Sequence, residues 1–359
     1  MQTIKKNKED FTIIEIGYSE SEKKMLSKNK KDFTTVLGHS ESEKKLSDLH
    51  GESYIKYRQE FKKAQDLQFN SEYPLQLDFE LNYSCNLSCD MCTWATESKR
   101  NRGKVTWFDF EEYKNIIDKG VENGLKAVRL NYINEPLIRR DISHFIRYAK
   151  DAGIVEVYMS TNGMLLTKDF AIKLIESGLT KIQISIDATN SETFDLIRQG
   201  GDYNKVVSNT KRFIDIRNKT GTIEPQVRVN FVKTDVNIHQ LDDFINEWDG
   251  VADLIGIQDL VGIMDKYKNK NHDDGIHRKF NCTQPFYHMT IRHDGTVLPC
   301  CSFFGAELPI AKISKDNPKD INEIWNSDEI NFLRKIHAKG EYWKHPVCKR
   351  CINSTSHVD

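Results

Sequence analysis

The chain has 359 residues, of which 38% are hydrophobic, 10% are aromatic and 19 are glycine, so it can bury a large core. This composition excludes collagen, a simple coiled coil and disorder over the whole length. Lysine and arginine total 52 against 53 acidic residues, and the net charge of −1 does not favour a nucleic-acid partner. No apolar run approaches the roughly 20 residues that span a bilayer, and residues 1–10 contain no apolar signal segment. We therefore expect no membrane partner and a cytoplasmic location.

The first 50 residues are rich in lysine, glutamate and serine and contain a tandem near-repeat. The segment 6–12 recurs almost unchanged at 28–34, and the segment 19–24 recurs at 40–45. Two copies are too few for a solenoid, and the few apolar residues cannot offset the entropy cost of ordering. We predict a charged, weakly ordered arm over 1–50, followed by a helical lead-in over 51–74.

From residue 75 onward, short apolar runs alternate with amphipathic stretches, a pattern typical of repeated β-α units around a parallel sheet. The predicted strands are 75–83, 127–132, 155–160, 181–187, 226–232 and 253–261. The predicted helices are 108–123, 139–153, 167–178, 191–200, 203–220 and 237–248. Six such units predict an α/β fold, a partial or complete (β/α)6 barrel over 75–262, with ligands at the carboxyl ends of the strands.

The alternation stops after the sixth unit, and a second, smaller domain is predicted over 282–359, joined by a linker over 263–281. Apolar runs at 286–292 and 297–301 flank Asp294-Gly295, a strong hairpin signal. A helix from about 321 to 337 and a cysteine-containing tail follow. The predicted second domain is therefore of the small α+β class.

Eight cysteines in a chain without an export signal favour metal ligation over disulfides. Cys85, Cys89 and Cys92 form a C-x3-C-x2-C motif directly after the first predicted strand. Three thiolates on one loop can ligate three irons of a [4Fe–4S] cluster and leave the fourth iron open. The alternatives are a structural zinc site, which needs a fourth ligand, and three unrelated buried cysteines.

This motif resembles the hallmark of the radical S-adenosylmethionine (SAM) superfamily, in which it follows the first strand of a β/α barrel. The resemblance implies that the open iron binds SAM and that reduction cleaves SAM into methionine and a 5′-deoxyadenosyl radical. Met91 stands where many members have an aromatic residue before the third cysteine, and Trp94 lies just beyond.

The same resemblance implies a set of SAM-binding residues at successive strand ends. Asn-Glu-Pro after the second strand resembles the family's Gly-Gly-Glu-Pro segment, and Thr-Asn-Gly after the third resembles a family turn. Residues after the fourth strand correspond to ribose contacts, and an arginine in the next helix corresponds to a SAM-carboxylate contact. Taken singly, these residues also suit ordinary turns, a helix start and a solvated helix face. The implied cofactor-binding residues are Asn134, Glu135, Asn162, Ser185, Asp187 and Arg198.

A second cysteine group lies in the smaller domain, where Cys282, Cys300, Cys348 and Cys351 supply enough thiolates for a closed [4Fe–4S] cluster. A zinc ribbon uses the same four sulfurs and remains the alternative. The Gly-x4-Cys step and the C-x2-C pair resemble the SPASM/twitch domains of radical SAM enzymes. Because no further cysteines follow, the shortened twitch form with one auxiliary cluster is the better match. The role of Cys301 stays open between a small buried side chain, an alternative ligand and a proton carrier.

A closed auxiliary cluster is suited to electron transfer, which favours an oxidation. Twitch relatives include a dehydrogenase of an aminocyclitol alcohol, so the resemblance implies an oxidoreductase acting on a sugar, aminosugar or cyclitol. A flavodoxin- or ferredoxin-type protein is the expected electron donor. The alternatives are a peptide- or protein-modifying SPASM enzyme and, in another class, a non-catalytic zinc-binding scaffold.

The catalytic base is expected in the predicted linker, which carries Asp265, Lys266, His277 and Arg278. Arg278 and His277 are the predicted catalytic residues because they are nearest in sequence to Cys282 and hence to the electron acceptor. The arginine would bind and polarise a hydroxyl, given its high pKa. The alternative is a solvated charged linker, with the base elsewhere, on Tyr132 or Cys301.

Overall fold

One sheet of ten strands organises the computed structural model, which describes residues 34–67, 71–95, 106–261, 280–314 and 319–354. Six parallel strands form its centre and pair in chain order: β2 (Gln76–Phe79), β3 (Ala127–Arg129), β4 (Glu156–Thr161), β5 (Lys181–Ser185), β6 (Gln226–Lys233) and β7 (Leu254–Asp259). The remaining strands extend this sheet at both edges, and β2 and β7 are not paired to each other. The fold is therefore an open, partial (β/α)6 barrel, as the sequence predicted.

Helices follow the central strands and cover the outer face of the sheet. They are α3 (Phe110–Glu122), α4 (Ile142–Asp151), α5 (Lys168–Glu176), α6 (Ser191–Ile197), α7 (Tyr203–Lys219) and α8 (Leu241–Trp248). Polar side chains start several of them; for example, Asp109, Thr167 and Asn190 each accept a backbone N–H in the first turn. No helix within the described ranges is both long enough and apolar enough to cross a membrane.

The inner face of the barrel is polar because the strands alternate in character. In β5, Ile182 and Ile184 are fully buried in the main core, whereas Lys181, Gln183 and Ser185 are partly exposed. Side chains alternate between the two faces of a strand, so the second set lines the inside of the barrel. This inside surface holds the candidate site.

The N-terminal region differs from the predicted weakly ordered arm over its described part. Strand β1 (Thr34–Leu37) pairs antiparallel with β7, and the helices α1 (His39–His50) and α2 (Glu52–Gln65) follow. The free edge of β7 supplies backbone partners for β1, and Leu46 is buried. The difference concerns residues 34–50; the first copy of the near-repeat and residues 28–33 of the second lie outside the described residues.

Helices α1 and α2 close the amino-terminal end of the barrel through buried side-chain contacts. Ser42 donates its hydroxyl to Gln226 Oε1 at 2.9 Å, and Tyr57 donates to Glu156 Oε2 at 3.0 Å. Gln226 and Glu156 are the first residues of β6 and β4. Because this end is covered, the barrel opens at the carboxyl ends of its strands.

The C-terminal residues extend the barrel sheet and share its core. Strand β8 (His288–Ile291) pairs parallel with β2 and antiparallel with β9 (Thr296–Leu298), which confirms the predicted hairpin, and β10 (Ala311–Lys312) follows. The predicted helix over 321–337 is two helices, α9 (Ile321–Trp325) and α10 (Asp328–Ala338), because Ser327 caps a new start by accepting the Ile330 N–H. Helix α11 (Pro346–Asn353) carries the C-x2-C pair.

Candidate functional site

A cavity of about 530 Å³ opens at the carboxyl ends of the barrel strands. Both cysteine groups line it, one from the loop after β2 and one from the C-terminal extension. The predicted ligands in its wall are Cys85, Cys89, Cys92, Cys282, Cys300, Cys348 and Cys351. The structure thus brings two groups that are about 200 residues apart in sequence to one space.

The first cysteine group faces hydrogen-bond donors at the cavity wall. Asn162 Nδ2 lies 3.9 Å from Cys85 Sγ, and Arg198 Nη1 lies 3.8 Å from Cys89 Sγ. Burial raises the pKa of Cys85 to about 12, and the nearby Glu135 carboxylate adds to this. Thiolates at such a position need a cation beside them, and iron supplies it. These residues therefore fit the open cluster that the motif predicts.

Glu135 connects this loop to the end of β4. Its Oε2 accepts the Asn162 backbone N–H at 2.7 Å, and its Oε1 accepts the Thr161 hydroxyl at 2.7 Å and the Leu137 N–H at 3.1 Å. Burial raises the pKa of Glu135, while the three donors act in the opposite direction. Asn134, the preceding residue, also lines the cavity. The carboxylate is thus held in one orientation beside the cysteine loop.

Arg198 lines the cavity on the opposite side and is held by Asp187. Arg198 Nε donates to Asp187 Oδ2 at 2.6 Å, and the Val232 N–H donates to Asp187 Oδ1 at 2.7 Å. Burial opposes the charged form of Arg198, yet Asp187 and Cys89 raise its pKa above the usual value. Asp187 is fully buried and its carboxylate is engaged by these two donors, and its role as a ribose contact stays a prediction. Ser185 does line the cavity.

The four cysteines of the second group line the same cavity, and their thiols act on one another electrostatically. Burial raises the pKa of Cys348 to about 12, and it raises the pKa of Cys282, Cys300 and Cys351 above the usual range. The neighbouring thiols contribute to the shift at Cys282, Cys300 and Cys348. A Cβ on Gly305 would lie 2.9 Å from Cys300 Sγ, so glycine leaves space for this sulfur. Four partly buried thiols around one cavity fit the ligand set of a closed cluster.

Cys301 points away from the second group, toward the barrel interior. Its sulfur, a ring nitrogen of His288 and a carboxylate oxygen of Asp78 lie within 4.8 Å of one another. Gln76 Nε2 donates to Asp78 Oδ1 at 2.7 Å, and Arg129 Nη1 lies 3.6 Å from Asp78 Oδ2. The Asp78 carboxylate thus faces two donors, one of which is a cation. This arrangement is typical of an ion pair and not of a metal site.

Sequence reasoning missed the polar residues on the inner face of the barrel. Arg129, Asn131, Gln183 and Asn230 line the cavity, and each lies on or directly after a barrel strand. The sequence does contain a signal for them, because polar residues stand at alternate positions of strands that are otherwise apolar. His277 and Arg278 lie outside the described residues, as do Asp265 and Lys266, so their roles stay predictions.

The structure is a partial β/α barrel with three cysteines after its first central strand and four more around the same cavity. These features are those of a class of iron–sulfur proteins. Residues 79–224 match the model of the radical SAM superfamily, and residues 282–352 match that of the SPASM iron–sulfur cluster-binding domain. The chain therefore contains a radical SAM domain and, C-terminal to it, a SPASM domain. These domains imply a SAM-binding [4Fe–4S] cluster and an auxiliary cluster, and the two cysteine groups fit them.

Relatives in sequence have several different activities. The chain is 36% identical over 166 residues to a probable GTP 3′,8-cyclase of Sulfurisphaera tokodaii, a match that covers 46% of this chain and 49% of the relative. It is 33% identical over 175 residues to the mycofactocin maturase MftC of Mycolicibacterium smegmatis, covering 48% and 41%. The chain therefore spans about half the length of the curated relatives it matches.

Solved structures show the same fold at low sequence identity. BtrN in complex with AdoMet and 2-DOIA has a TM-score of 0.52 at 17% identity, covering 78% of this chain and 94% of BtrN. Streptococcus suis SuiB bound to S-adenosylmethionine has a TM-score of 0.55 at 16% identity, covering 83% and 76%. At these identities the similarity establishes the fold only.

Proposed function

We propose that the protein is a radical SAM oxidoreductase that dehydrogenates a small polar substrate such as a sugar, aminosugar or cyclitol. The observation that carries the proposal is the single cavity lined by both cysteine groups. Bound there, the two clusters would supply reductive cleavage of SAM at one end and acceptance of an electron at the other. An alcohol oxidation needs this pairing, since the substrate loses a hydrogen atom, a proton and an electron.

The residues around the cavity support the SAM-binding part of this proposal. The Arg198 guanidinium, oriented by Asp187, is suited to bind a carboxylate, and the Glu135 carboxylate is suited to bind an amine. Asn162 connects these groups to the cysteine loop, because its Nδ2 donates to Asn86 Oδ1 at 2.8 Å. An amino acid moiety such as that of SAM presents the matching amine and carboxylate.

The proton must leave through a base at the same cavity. His277 and Arg278 remain the proposed catalytic residues, with Arg278 as the substrate contact. Tyr132 is a weaker candidate: burial raises the pKa of its hydroxyl, which already donates to the Ser302 carbonyl at 2.7 Å. A neutral, engaged hydroxyl is a poor base at neutral pH. A flavodoxin- or ferredoxin-type protein is the proposed electron donor.

A peptide substrate is the second candidate, because MftC is among the relatives that exceed 30% identity and its printed name is that of a maturase. Arg129, Gln183 and Asn230 in the cavity wall offer hydrogen-bond partners for the hydroxyl groups of a small polar substrate, which supports the first candidate. The two candidates predict different products from the same preparation.

The test uses anaerobically reconstituted protein with SAM, a reductant and separate panels of sugars, aminosugars, cyclitols and short peptides. The proposal predicts a sugar-like product two mass units lighter, with deuterium from the oxidised carbon recovered in 5′-deoxyadenosine. Replacing Cys348 and Cys351 by Ala should prevent this product. A modified peptide and unchanged sugars would establish the second candidate instead.

A further inference from the structure

Arg228 is a half-buried cation, and two of its guanidinium nitrogens have no partner among the described residues. It lies in the middle of β6, and its Nε and Nη2 atoms are buried and make no hydrogen bond. Burial lowers the pKa of Arg228 to about 10; the like-charged Arg129 lowers it further, and Tyr158 acts in the opposite direction. Buried charged donors without a partner destabilise a fold, so their presence here indicates a ligand of opposite charge.

The register of the sheet places Arg228 on the inner face of the barrel. Arg228 pairs with Gln183 of β5, and Asn230 pairs with Ser185. Gln183, Ser185 and Asn230 all line the cavity, and residues paired in register point to the same face of a sheet. Arg228 therefore points to the inside of the barrel, next to the cavity wall and two residues nearer the start of its strand than the level of Ser185.

Gly256 of β7 leaves the space that Arg228 occupies. A Cβ at position 256 would lie 2.2 Å from Arg228 Nε and 2.4 Å from Asn230 Oδ1. The guanidinium and the amide thus lie side by side over the bare backbone of β7. Asn230 Oδ1 is itself buried and makes no hydrogen bond within the described residues.

The positive charges of Arg129 and Arg228 are not equally neutralised by neighbouring groups. Arg129 faces Asp78, whose Oδ2 lies 3.6 Å from Arg129 Nη1. No carboxylate among the described residues is close enough to act on Arg228. The barrel interior at the cavity wall therefore combines unused cationic donors at Arg228 with an unused acceptor at Asn230, which matches a ligand that carries both an oxyanion and a hydroxyl.

We propose that Arg228 and Asn230 form a substrate subsite for an acidic polyol. Arg228 binds a phosphate or carboxylate group, and Asn230 Oδ1 accepts a hydrogen bond from a hydroxyl group. This inference rests on the proposed small polar substrate and narrows it to sugar phosphates or sugar acids. The subsite lies deeper than the residues that suit the amine and carboxylate of SAM. A guanidinium suits both oxyanions, because its planar donors match either one bidentately.

The test measures thermal unfolding of the cluster-loaded protein in inorganic phosphate, in acetate and in chloride at equal ionic strength. We expect phosphate or acetate, but not chloride, to raise the unfolding midpoint of the wild type, and the more effective anion identifies the group. Arg228→Met should weaken binding of that anion tenfold or more. Arg147→Met is the matched control, since Arg147 is exposed on α4, and it should respond as the wild type does.

A second readout separates ligand binding from a structural role. Without added anion, Arg228→Met should unfold at or above the wild-type temperature, because the variant removes an unpaired buried charge. Gly256→Ala should weaken anion binding as well, since its methyl group displaces the guanidinium while the charge is kept. A lower unfolding temperature for Arg228→Met without anion, or equal anion responses in the wild type and Arg228→Met, would overturn the proposal.

The outcome is independent of turnover. If the wild type cleaves SAM and oxidises a neutral cyclitol but neither anion protects it, the subsite is wrong and the proposed function stands. If an anion protects the wild type through Arg228 but no SAM is cleaved, the subsite stands and the proposed function fails.

Discussion

Individual buried residues decide how the cavity wall is held. Glu135 accepts three hydrogen bonds, and the Asn82 amide donates to its backbone carbonyl at 3.2 Å. Asn82 itself lies at the end of β2, and its Oδ1 accepts the Asn134 amide at 2.9 Å. A network in which each buried polar group has a partner fixes one geometry. The loop with the first cysteine group is therefore attached to a rigid frame.

The first prediction concerns the cysteine loop. Replacing Cys85, Cys89 or Cys92 by Ala should abolish 5′-deoxyadenosine formation from SAM and dithionite, because an open cluster on three thiolates tolerates no lost ligand. Far-ultraviolet circular dichroism should show the same helix content as the wild type. Wild-type rates in the triple variant would contradict the assignment.

The second prediction concerns pH. Burial lowers the pKa of His337 in α10 to about 4, against about 6.5 in the unfolded chain. The unfolded state therefore binds a proton between these values, so the contribution of His337 to stability is complete above pH 6.5 and is lost as the pH falls toward 4. Urea unfolding at pH 7 and pH 5 should show a loss on the order of 2 kcal/mol from this group.

The His337→Gln variant should lose less stability between pH 7 and pH 5 than the wild type. His144→Gln, at an exposed position of α4, is the matched control and should keep the wild-type pH dependence. Equal slopes for all three proteins would mean that His337 does not titrate as its burial indicates.

At the scale of elements, the helices α1 and α2 contribute more to the packing of the barrel than the composition of the N-terminal region indicated. They place Tyr57 and Ser42 against the first residues of two barrel strands. Glu156, which accepts the hydrogen bond from the Tyr57 hydroxyl, also forms an ion pair with Lys181 at the start of β5. These helices thus close the barrel opposite the cavity and tie neighbouring strands together.

The third prediction tests this closure. Tyr57→Phe should lower the free energy of unfolding by about 1–3 kcal/mol, because it removes a buried hydrogen bond to a charged carboxylate. Tyr148→Phe removes an equivalent but exposed hydrogen bond to Asp118 and should change stability by less than about 0.5 kcal/mol. Urea denaturation measures both, and equal losses would show that the α2 contact does not stabilise the barrel.

For the whole molecule, the C-terminal extension matters because it continues the barrel sheet. Strand β8 pairs with β2, so the chain that carries the second cysteine group is held against the strand that precedes the first. Met289 and Ile291 of β8 belong to the same core as Leu77 and Phe79 of β2. The two cysteine groups are therefore set in one packed body.

The fourth prediction follows from the two groups. The reconstituted wild type should bind about eight irons per chain, following four irons per cluster. Replacing Cys282, Cys300, Cys348 and Cys351 by Ala should leave about four irons and should retain SAM cleavage. A wild type with about four irons and one zinc would assign the second group to a zinc site.

The local patterns of the sequence were sufficient for the elements, and the cysteine assignments made from them stay predictions. Alternating strands and helices predicted the barrel, Asp294-Gly295 predicted the hairpin, and C-x3-C-x2-C predicted the first ligand set. These signals are local, since each depends on residues within one element or one turn. The boundaries differ by a few residues where caps such as Ser327 interrupt a helix.

Contacts between distant parts of the chain could be decided only by the tertiary structure. The strand β1 forms because the edge of β7 offers hydrogen bonds, although the charged residues around its short segment indicate a weakly ordered arm. Asp187 is fully buried because Arg198 and the Val232 N–H engage its carboxylate. Arg228 is a surface residue by composition alone, and only its neighbours in the sheet, with Gly256 beside it, leave its Nε and Nη2 atoms buried and without a hydrogen bond. Burial and pairing depend on which strands become neighbours, and residue order within one strand does not encode that.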